Sequence, residues 1–294
     1  MNKIIPSSRN PHISHQPHVV PDWLLEDVGF YDLTTQLLGI GEMDGFAEVF
    51  AREKFVVAGS EEAAEVYRIV DRRVDVEVHL YTGDIAHSGD IILKAKGPAG
   101  ALHAAWRAAQ EVIAYASGVA TSTKSLVEIA KNVNPKVVIA TTRKTPPGLR
   151  ALYFIAVMAG GGVIHRCCLS DGVLLFKNHL AFLGEKDLGS IIMSLKNKNP
   201  LRPVGLEVET AEEAIRAVAA GADYVQLEHM NPEEVSKVST ELRKMNSRII
   251  IGVTGGINED NVEKYAASVD LIVTSSPYSA KPVDLGTRIV PARP

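Results

Sequence analysis

The chain has 294 residues, enough for two domains or one large α/β barrel with a substantial core. Apolar residues make up 46% and charged residues 22%, an ordinary globular balance, and the net charge of −4 gives no global basic field for nucleic acid. The two cysteines, Cys167 and Cys168, are adjacent, which excludes a disulfide scaffold, and no run approaches the ~18 apolar residues that span a bilayer.

Residues 1–21, with Pro6, Pro11 and Pro17, read as a flexible arm. Its His12, His15 and His18 suit an irregular polar tail as well as a metal site. Scarce cysteine and the lack of a secretory signal predict a cytoplasmic protein. The Cys167–Cys168 pair itself reads as two small buried residues with free thiols. Trp23, Leu24 and Leu25 begin a short helix. Phe46 to Phe50 and Phe55 to Val57 are predicted strands, and Ser60 is predicted to cap a helix with Glu61 and Glu62 in its first turn. Val74, Val76, Val78 and Leu80 alternate along one strand face, and turns at Gly83-Asp84 and Gly89-Asp90 flank another strand at Ile91 to Lys94. These signals predict an α+β sandwich with a largely antiparallel sheet over residues 22–118.

Ala101 to Ser117 reads as a long helix, broken at Gly118 and resumed from Thr121 to Asn132. Short apolar strands then recur at Val137 to Ala140, Val173 to Phe176, Val204 to Val208, Tyr224 to Leu227, Ile249 to Val253 and Leu271 to Val273, with amphipathic helices between most of them. Repeated β-α units imply a parallel sheet covered by helices. With no G-x-G-x-x-G, the fold class is α/β, an N-terminal α+β sandwich followed by an incomplete parallel β/α barrel over residues 119–276. A C-terminal segment, 277–294, is predicted to pack back on the N-terminal domain.

In such a barrel the chemistry gathers where strands end. Those ends read Thr141-Thr142-Arg143-Lys144, then Glu207 with Glu209, Glu228-His229, Thr254-Gly255-Gly256 and Thr274-Ser275-Ser276. The small residues at the last two ends are candidate phosphate cradles, with Thr254, Gly255, Gly256 and Ser275 as the expected contacts. A glycine run, Gly160 to Gly162, leads to His165-Arg166, which with Arg143 and Lys144 is taken as four cationic groups awaiting a polyanion. A glycine loop with solvated charges would read the same way. Glu209 and Glu228 could hold Mg²⁺ through water or bind ribose hydroxyls; two buried acids bonded to barrel lysines are the alternative.

Several stretches together resemble the quinolinate phosphoribosyltransferase family, also called nicotinate-nucleotide pyrophosphorylase. They are LLEDVGFYDLTT from Leu24, WRAAQEVIAYASGVAT from Trp106, TTRKTPPGLR from Thr141, AGGGVIHRCCLSD from Ala159, LEVE from Leu206 and TGGI from Thr254. The resemblance implies a homodimer in which one subunit's N-terminal domain covers the other's barrel mouth, with a higher oligomer open. It implies the substrates phosphoribosyl pyrophosphate and quinolinate, an anionic heterocyclic base, with Mg²⁺, and neither nucleic acid nor membrane as a partner. By position it implies Arg107 as the arginine given across the dimer, Arg143, Lys144, His165 and Arg166 as the cationic pocket, and Glu209 as the acid on the next active strand. Lys144, Glu209 and Glu228 are the expected catalytic groups, the two acids also the expected metal ligands.

The chain departs from the family at three places. The lysine of the family's K-D-N-H stretch is replaced by Phe176, with Lys177 one residue later and on the opposite strand face unless a bulge intervenes. Lys177 is the expected substitute in substrate binding. The family's aspartate is Glu228, followed by His229, and a strand-end glycine is Ser275. The stretches LLGIG from Leu37, ATTRK from Ala140, LLF from Leu174 and TSSPY from Thr274 resemble the ModD branch, associated with molybdenum transport genes. The acceptor base therefore stays open between quinolinate and another heterocycle. A sugar-phosphate aldolase using Lys144 or Lys177, and a binding protein that kept only the fold, are the rival readings.

Overall fold

The protein is described by a computed structural model over residues 20–184 and 186–292. The expected arm of residues 1–21 lies, except for its last two residues, outside the described residues. In chain order the elements are α1 (Val20–Val28), α2 (Leu33–Leu38), β1 (Asp44–Ala51), β2 (Phe55–Val56), α3 (Ser60–Val70), β3 (Asp75–Val78), β4 (Ile85–Ala86), β5 (Ile91–Pro98) and α4 (Ala99–Val133). Then follow β6 (Val138–Thr141), α5 (Arg150–Ala159), β7 (Val163–Ile164), β8 (Val173–Leu175), α6 (Lys177–Ala181), α7 (Leu188–Lys198), β9 (Val204–Val208) and α8 (Ala211–Ala219). The chain closes with β10 (Tyr224–Glu228), α9 (Pro232–Met245), β11 (Ile250–Thr254), α10 (Val262–Ala266), β12 (Leu271–Thr274), a 3₁₀ turn (Ser276–Ser279) and β13 (Leu285–Pro291). The fold class is mixed α/β, a small sheet domain followed by a parallel half-barrel.

The described residues divide into two compact units: those within 20–124, 146–160 and 278–292 form one, those within 125–145 and 161–277 the other. The first is built on an antiparallel sheet in the order β13-β1-β5-β3. Its alternation is plain in β1, where Ala47, Val49 and Ala51 are buried while Asp44 and Phe46 face out. Ile92, Leu93, Leu102, Ile113 and Tyr67 fill the core between sheet, α3 and α4.

Two local expectations change here. The residue capping α3 is Gly59, at φ 81°, and it makes no side-chain cap; Ser60 is the first helical residue and its hydroxyl donates to Glu61. Gly118 does not break the helix: α4 runs 35 residues straight through it. The glycine is there because a Cβ would lie 2.2 Å from the Lys281 carbonyl oxygen. Gly160 is held to glycine similarly, its Cβ falling 2.4 Å from the Ala120 carbonyl oxygen.

The second unit is a parallel sheet in the order β7-β6-β12-β11-β10-β9-β8, seven strands among the described residues. Followed round, this is chain order closed on itself with one break. β7 and β8 are consecutive in sequence yet sit at opposite edges of the sheet, so the ring is left open between them. Leu206, Val208, Val225, Leu227, Ile251, Val253 and Ile272 face a core shared with the covering helices. The residues between them on β9 to β11, Gly205, Glu207, Tyr224, Gln226, Glu228, Gly252 and Thr254, take the other face, the half-barrel interior. No helix among the described residues is long and apolar enough to cross a membrane.

Candidate functional site

Every strand of the parallel sheet runs the same way, so their carboxyl ends lie along one rim. On that rim stand Arg143 and Lys144 after β6, His165 and Arg166 after β7, Lys177 after β8, Glu209 after β9, Glu228 closing β10, Thr254 to Gly256 closing β11, and Ser275 after β12. All the expected site residues but Arg107 thus belong to one unit.

Arg166 is held among the residues of the rim. Its guanidinium carbon lies 5.5 Å from the centre of the Phe176 ring, a cation–π contact. Burial first, then the positive charge of Arg143, lowers its pKa. Its Nε is buried and has no hydrogen-bond partner in the structure. Two guanidiniums close enough to oppose each other, one with an unmet buried donor, make a place for an anion.

His165 does not add a fourth cation. Burial, and behind it the Arg166 charge, depresses its pKa to about 4, so at neutral pH the imidazole is neutral. It is held by its backbone N–H, which donates to the Thr141 carbonyl at 3.0 Å, and by its ring, 5.7 Å from that of Tyr224. The cationic cluster is therefore Arg143, Lys144 and Arg166, with His165 as a polar, uncharged neighbour.

The acids divide differently from expectation. Glu207, not Glu209, is the carboxyl brought against Glu228. Burial and then the adjacent Glu228 carboxyl push the Glu207 pKa well above the usual carboxylate range, opposed by a hydrogen bond from Gln226 and by the charge of Lys144. Glu209 lies past the strand end, half exposed, 3.5 Å from Lys177 Nζ. Lys177 opens α6 without a bulge and is 76% exposed in its side chain, so it turns to Glu209 while Phe176 packs by Arg166.

At β11 the turn Thr254-Gly255-Gly256 needs its glycines. Gly255 and Gly256 hold φ of 102° and 68°, in the left-handed region. A Cβ on Gly255 would fall 2.7 Å from Nδ1 of His229, which itself holds φ 55° at the end of β10. The Asn261 side-chain amide donates to the Gly256 carbonyl at 3.1 Å and braces the loop. Thr254 Oγ1 donates to the Val273 carbonyl at 2.9 Å, so its hydroxyl serves the neighbouring strand. Ser275 is half-buried, followed by Ser276, whose backbone N–H donates to Thr274 Oγ1 at 3.0 Å.

Cys167 and Cys168 are exposed, not buried. They lie in the irregular segment that carries the chain from β7 to β8, where the sheet is open and no neighbouring strand covers them. The Cys167 backbone N–H donates to Asp171 at 2.9 Å, and Cys168 Sγ is 3.1 Å from Ser170 Oγ.

Arg107 belongs to the other unit. Its guanidinium lies 4.1 Å over the Trp106 ring and 3.7 Å from Glu111, lining a cleft of ≈ 470 Å³ with Trp23, Glu26, Tyr115 and Leu152. Three residues of the half-barrel interior escaped sequence reasoning: Glu207 as the inward acid, and Tyr224 and Gln226 behind it. The signal that points to them is period two, since Gly205, Glu207, Tyr224 and Gln226 share the face opposite the apolar residues.

Comparison with known proteins places these features in company. Residues 32–117 match the family described as the quinolinate phosphoribosyl transferase N-terminal domain, and residues 119–288 match its C-terminal domain. The chain is 36% identical over 268 residues to a Pasteurella multocida protein named as pyrophosphorylase ModD, spanning 90% of this chain and 94% of that one. It is 33% identical over 277 residues to a Methanothermobacter thermautotrophicus protein named as nicotinate-nucleotide pyrophosphorylase (carboxylating), spanning 92% and 98%. The solved structure of the nicotinate-nucleotide pyrophosphorylase from Ehrlichia chaffeensis superposes with a TM-score of 0.86 at 28% identity, covering 94% of this chain and 99% of that one.

Proposed function

The chain belongs to the quinolinate phosphoribosyltransferase family, and from that premise we propose that it transfers phosphoribose from phosphoribosyl pyrophosphate to the ring nitrogen of a pyridine carboxylate or related base. It is a pentosyltransferase, an enzyme of nucleotide synthesis. The observation that carries the reaction is the buried, unmet Nε of Arg166 set against Arg143 at the rim. A phosphate or carboxylate oxygen would meet that donor and remove the repulsion between the two guanidiniums.

In this reading the bond from the anomeric carbon to pyrophosphate breaks with its electron pair leaving on pyrophosphate, and the base's nitrogen lone pair forms the new bond. With quinolinate, the carboxyl beside the nitrogen then leaves as carbon dioxide, its bonding pair returning to the ring carbon, which takes a proton. Lys144 neutralises charge on the departing pyrophosphate. Arg143 and Arg166 orient anionic groups, neutral His165 supplies a hydrogen bond, and the backbone of Thr254 to Gly256 with Ser275 cradles a phosphate. Lys177, paired with Glu209, has a place near the acceptor only if that pair opens.

Glu207 and Glu228 suit Mg²⁺. They are hard oxygen donors pressed together, and the raised pKa of Glu207, due first to burial and then to the Glu228 carboxyl beside it, is one that a cation would bring back down. Two carboxylates would leave the rest of the ion's shell to substrate oxygens and water. Bound there, the ion would offset pyrophosphate charge.

Phe176 favours an acceptor with one carboxylate fewer than quinolinate, because a ring stands where the family lysine would meet that charge. The unit of function is a homodimer with Arg107 serving the partner's site. An apolar stretch around α1 and α2 supports it, with Phe30 fully exposed and Leu25, Leu33, Leu37 and Leu38 each more than half exposed.

The test is titration calorimetry with phosphoribosyl pyrophosphate and Mg²⁺, then a screen of heterocyclic carboxylates read by pyrophosphate release. Lys144→Ala should weaken binding or turnover about ten- to a hundredfold, the loss of one charge-assisted contact. No binding by the wild type would refute the reading. Quinolinate turning over as well as any other acceptor, through a Lys177-dependent step, would restore the ordinary acceptor.

A further inference from the structure

We propose that Tyr224 and Gln226 are positioning residues, a buried phenol–amide chain that aims the Glu207 carboxyl at the reaction centre; this rests on the phosphoribosyl-transfer reading. The chain starts in the middle of the half-barrel. Tyr224, the first residue of β10, pairs with Gly205 on β9 and Ile250 on β11, and its ring runs along the inner face from Gly205 to Gly252, two residues beyond Ile250. A Cβ on Gly205 would fall 2.6 Å from Tyr224 Cδ1, and one on Gly252 would fall 2.4 Å from its Oη. Both neighbours must therefore be glycine for this ring to be seated, and the ring leaves no space there for water or ligand.

Burial holds the phenol protonated far beyond neutral pH, so its O–H is a donor. It donates to Gln226 Oε1 at 2.7 Å. An amide oxygen occupied in this way turns its NH₂ the other way, and Gln226 Nε2 donates to Glu207 Oε2 at 2.5 Å. Gln226 is buried and stands in direct register with Glu207. The carboxylate already favours the amide NH₂; without the phenol the Gln226 Oε1 at the other end would be left unpaired in a buried place, and the amide would be free to turn to find a donor. Burying a phenol and an amide costs free energy that apolar side chains would avoid, and here the polar chain ends on a carboxyl of the site. The ring and the hydroxyl have separate tasks, since the ring also lies 5.7 Å from that of His165.

Tyr224→Phe removes the hydroxyl and keeps the ring; Gln226→Met keeps the bulk and removes the amide. The measurement is calorimetric affinity for phosphoribosyl pyrophosphate in Mg²⁺, alongside melting temperature without ligand, for wild type, both single variants and the double variant. We expect each single variant to lose about tenfold in affinity, the scale of one charge-assisted hydrogen bond, with cooperative melting retained. The double variant should lose no more than Gln226→Met alone, because both residues act through one chain. If Tyr224→Phe does not fold because the Gln226 amide oxygen is left unpaired, the double variant against Gln226→Met decides instead. Losses that multiply, or a Tyr224→Phe variant that binds as the wild type does, would overturn the assignment. A wild type that does not bind would overturn the phosphoribosyl-transfer reading beneath it.

Discussion

A neutral imidazole at a cationic rim has a cost that depends on pH. His165 titrates near 4 in the folded chain, against an ordinary value of 6.5, chiefly because it is buried and secondly because Arg166 stands beside it. As pH falls from about 6.5 toward 4, the unfolded chain takes up a proton that the folded chain refuses, so this residue removes stability across that window and has no effect above it. His165→Asn should flatten the decline of melting temperature over that range, checked by thermal melts in matched buffers. An unchanged slope would show that the acid sensitivity lies elsewhere. Charge state is the kind of property the sequence conceals: His165-Arg166 reads as two cations until burial is known. Position within a strand is better concealed still. Glu207 and Glu209 share a face, and only the end of β9 at Val208 separates the acid inside the half-barrel from the one paired with Lys177. The identities of Arg143, Lys144, Arg166 and Glu228 were legible, because strand ends in a parallel sheet place them on one rim by topology alone.

Helix α4 shows why a glycine in a helical pattern must be weighed against its neighbours. In a free helix, Gly→Ala gains about 1 kcal/mol. At Gly118 the sign should reverse. The new methyl would collide with the Lys281 backbone, which cannot rotate away as a side chain would, so Gly118→Ala should lose about 1–3 kcal/mol, measured by urea unfolding. A stabilised variant would mean that the segment near Lys281 yields easily. The same reasoning explains what could be read of the elements. Apolar runs such as Val204–Val208 and Tyr224–Glu228 declare themselves by composition and length. Two-residue β7 does not, because two residues show no period and are too short an apolar run to stand out, and Gly118 looks like a break until the chain it touches is known.

Between subunits, the shared-site reading makes a demanding prediction. Arg107→Ala and Lys144→Ala variants, each strongly impaired alone, should rise above either parent's activity when mixed and allowed to exchange, since one composite site in the mixed dimer carries neither change. No recovery, with exchange confirmed by light scattering of tagged subunits, would place Arg107 and Lys144 in the same subunit's service. The whole chain also carries a consequence for its own synthesis. Strand β13 pairs with β1 from Gly45↔Pro291 to Ala51↔Leu285, so the first sheet to leave the ribosome is completed by a strand made some 240 residues later. Until residue 291 has emerged, β1 presents an open edge, the surface on which chains join wrongly to one another. Chains truncated after residue 277 hold every strand of the half-barrel and should still gather as aggregates. Nascent full-length chains should depend on holding factors for longest in their earliest-made part.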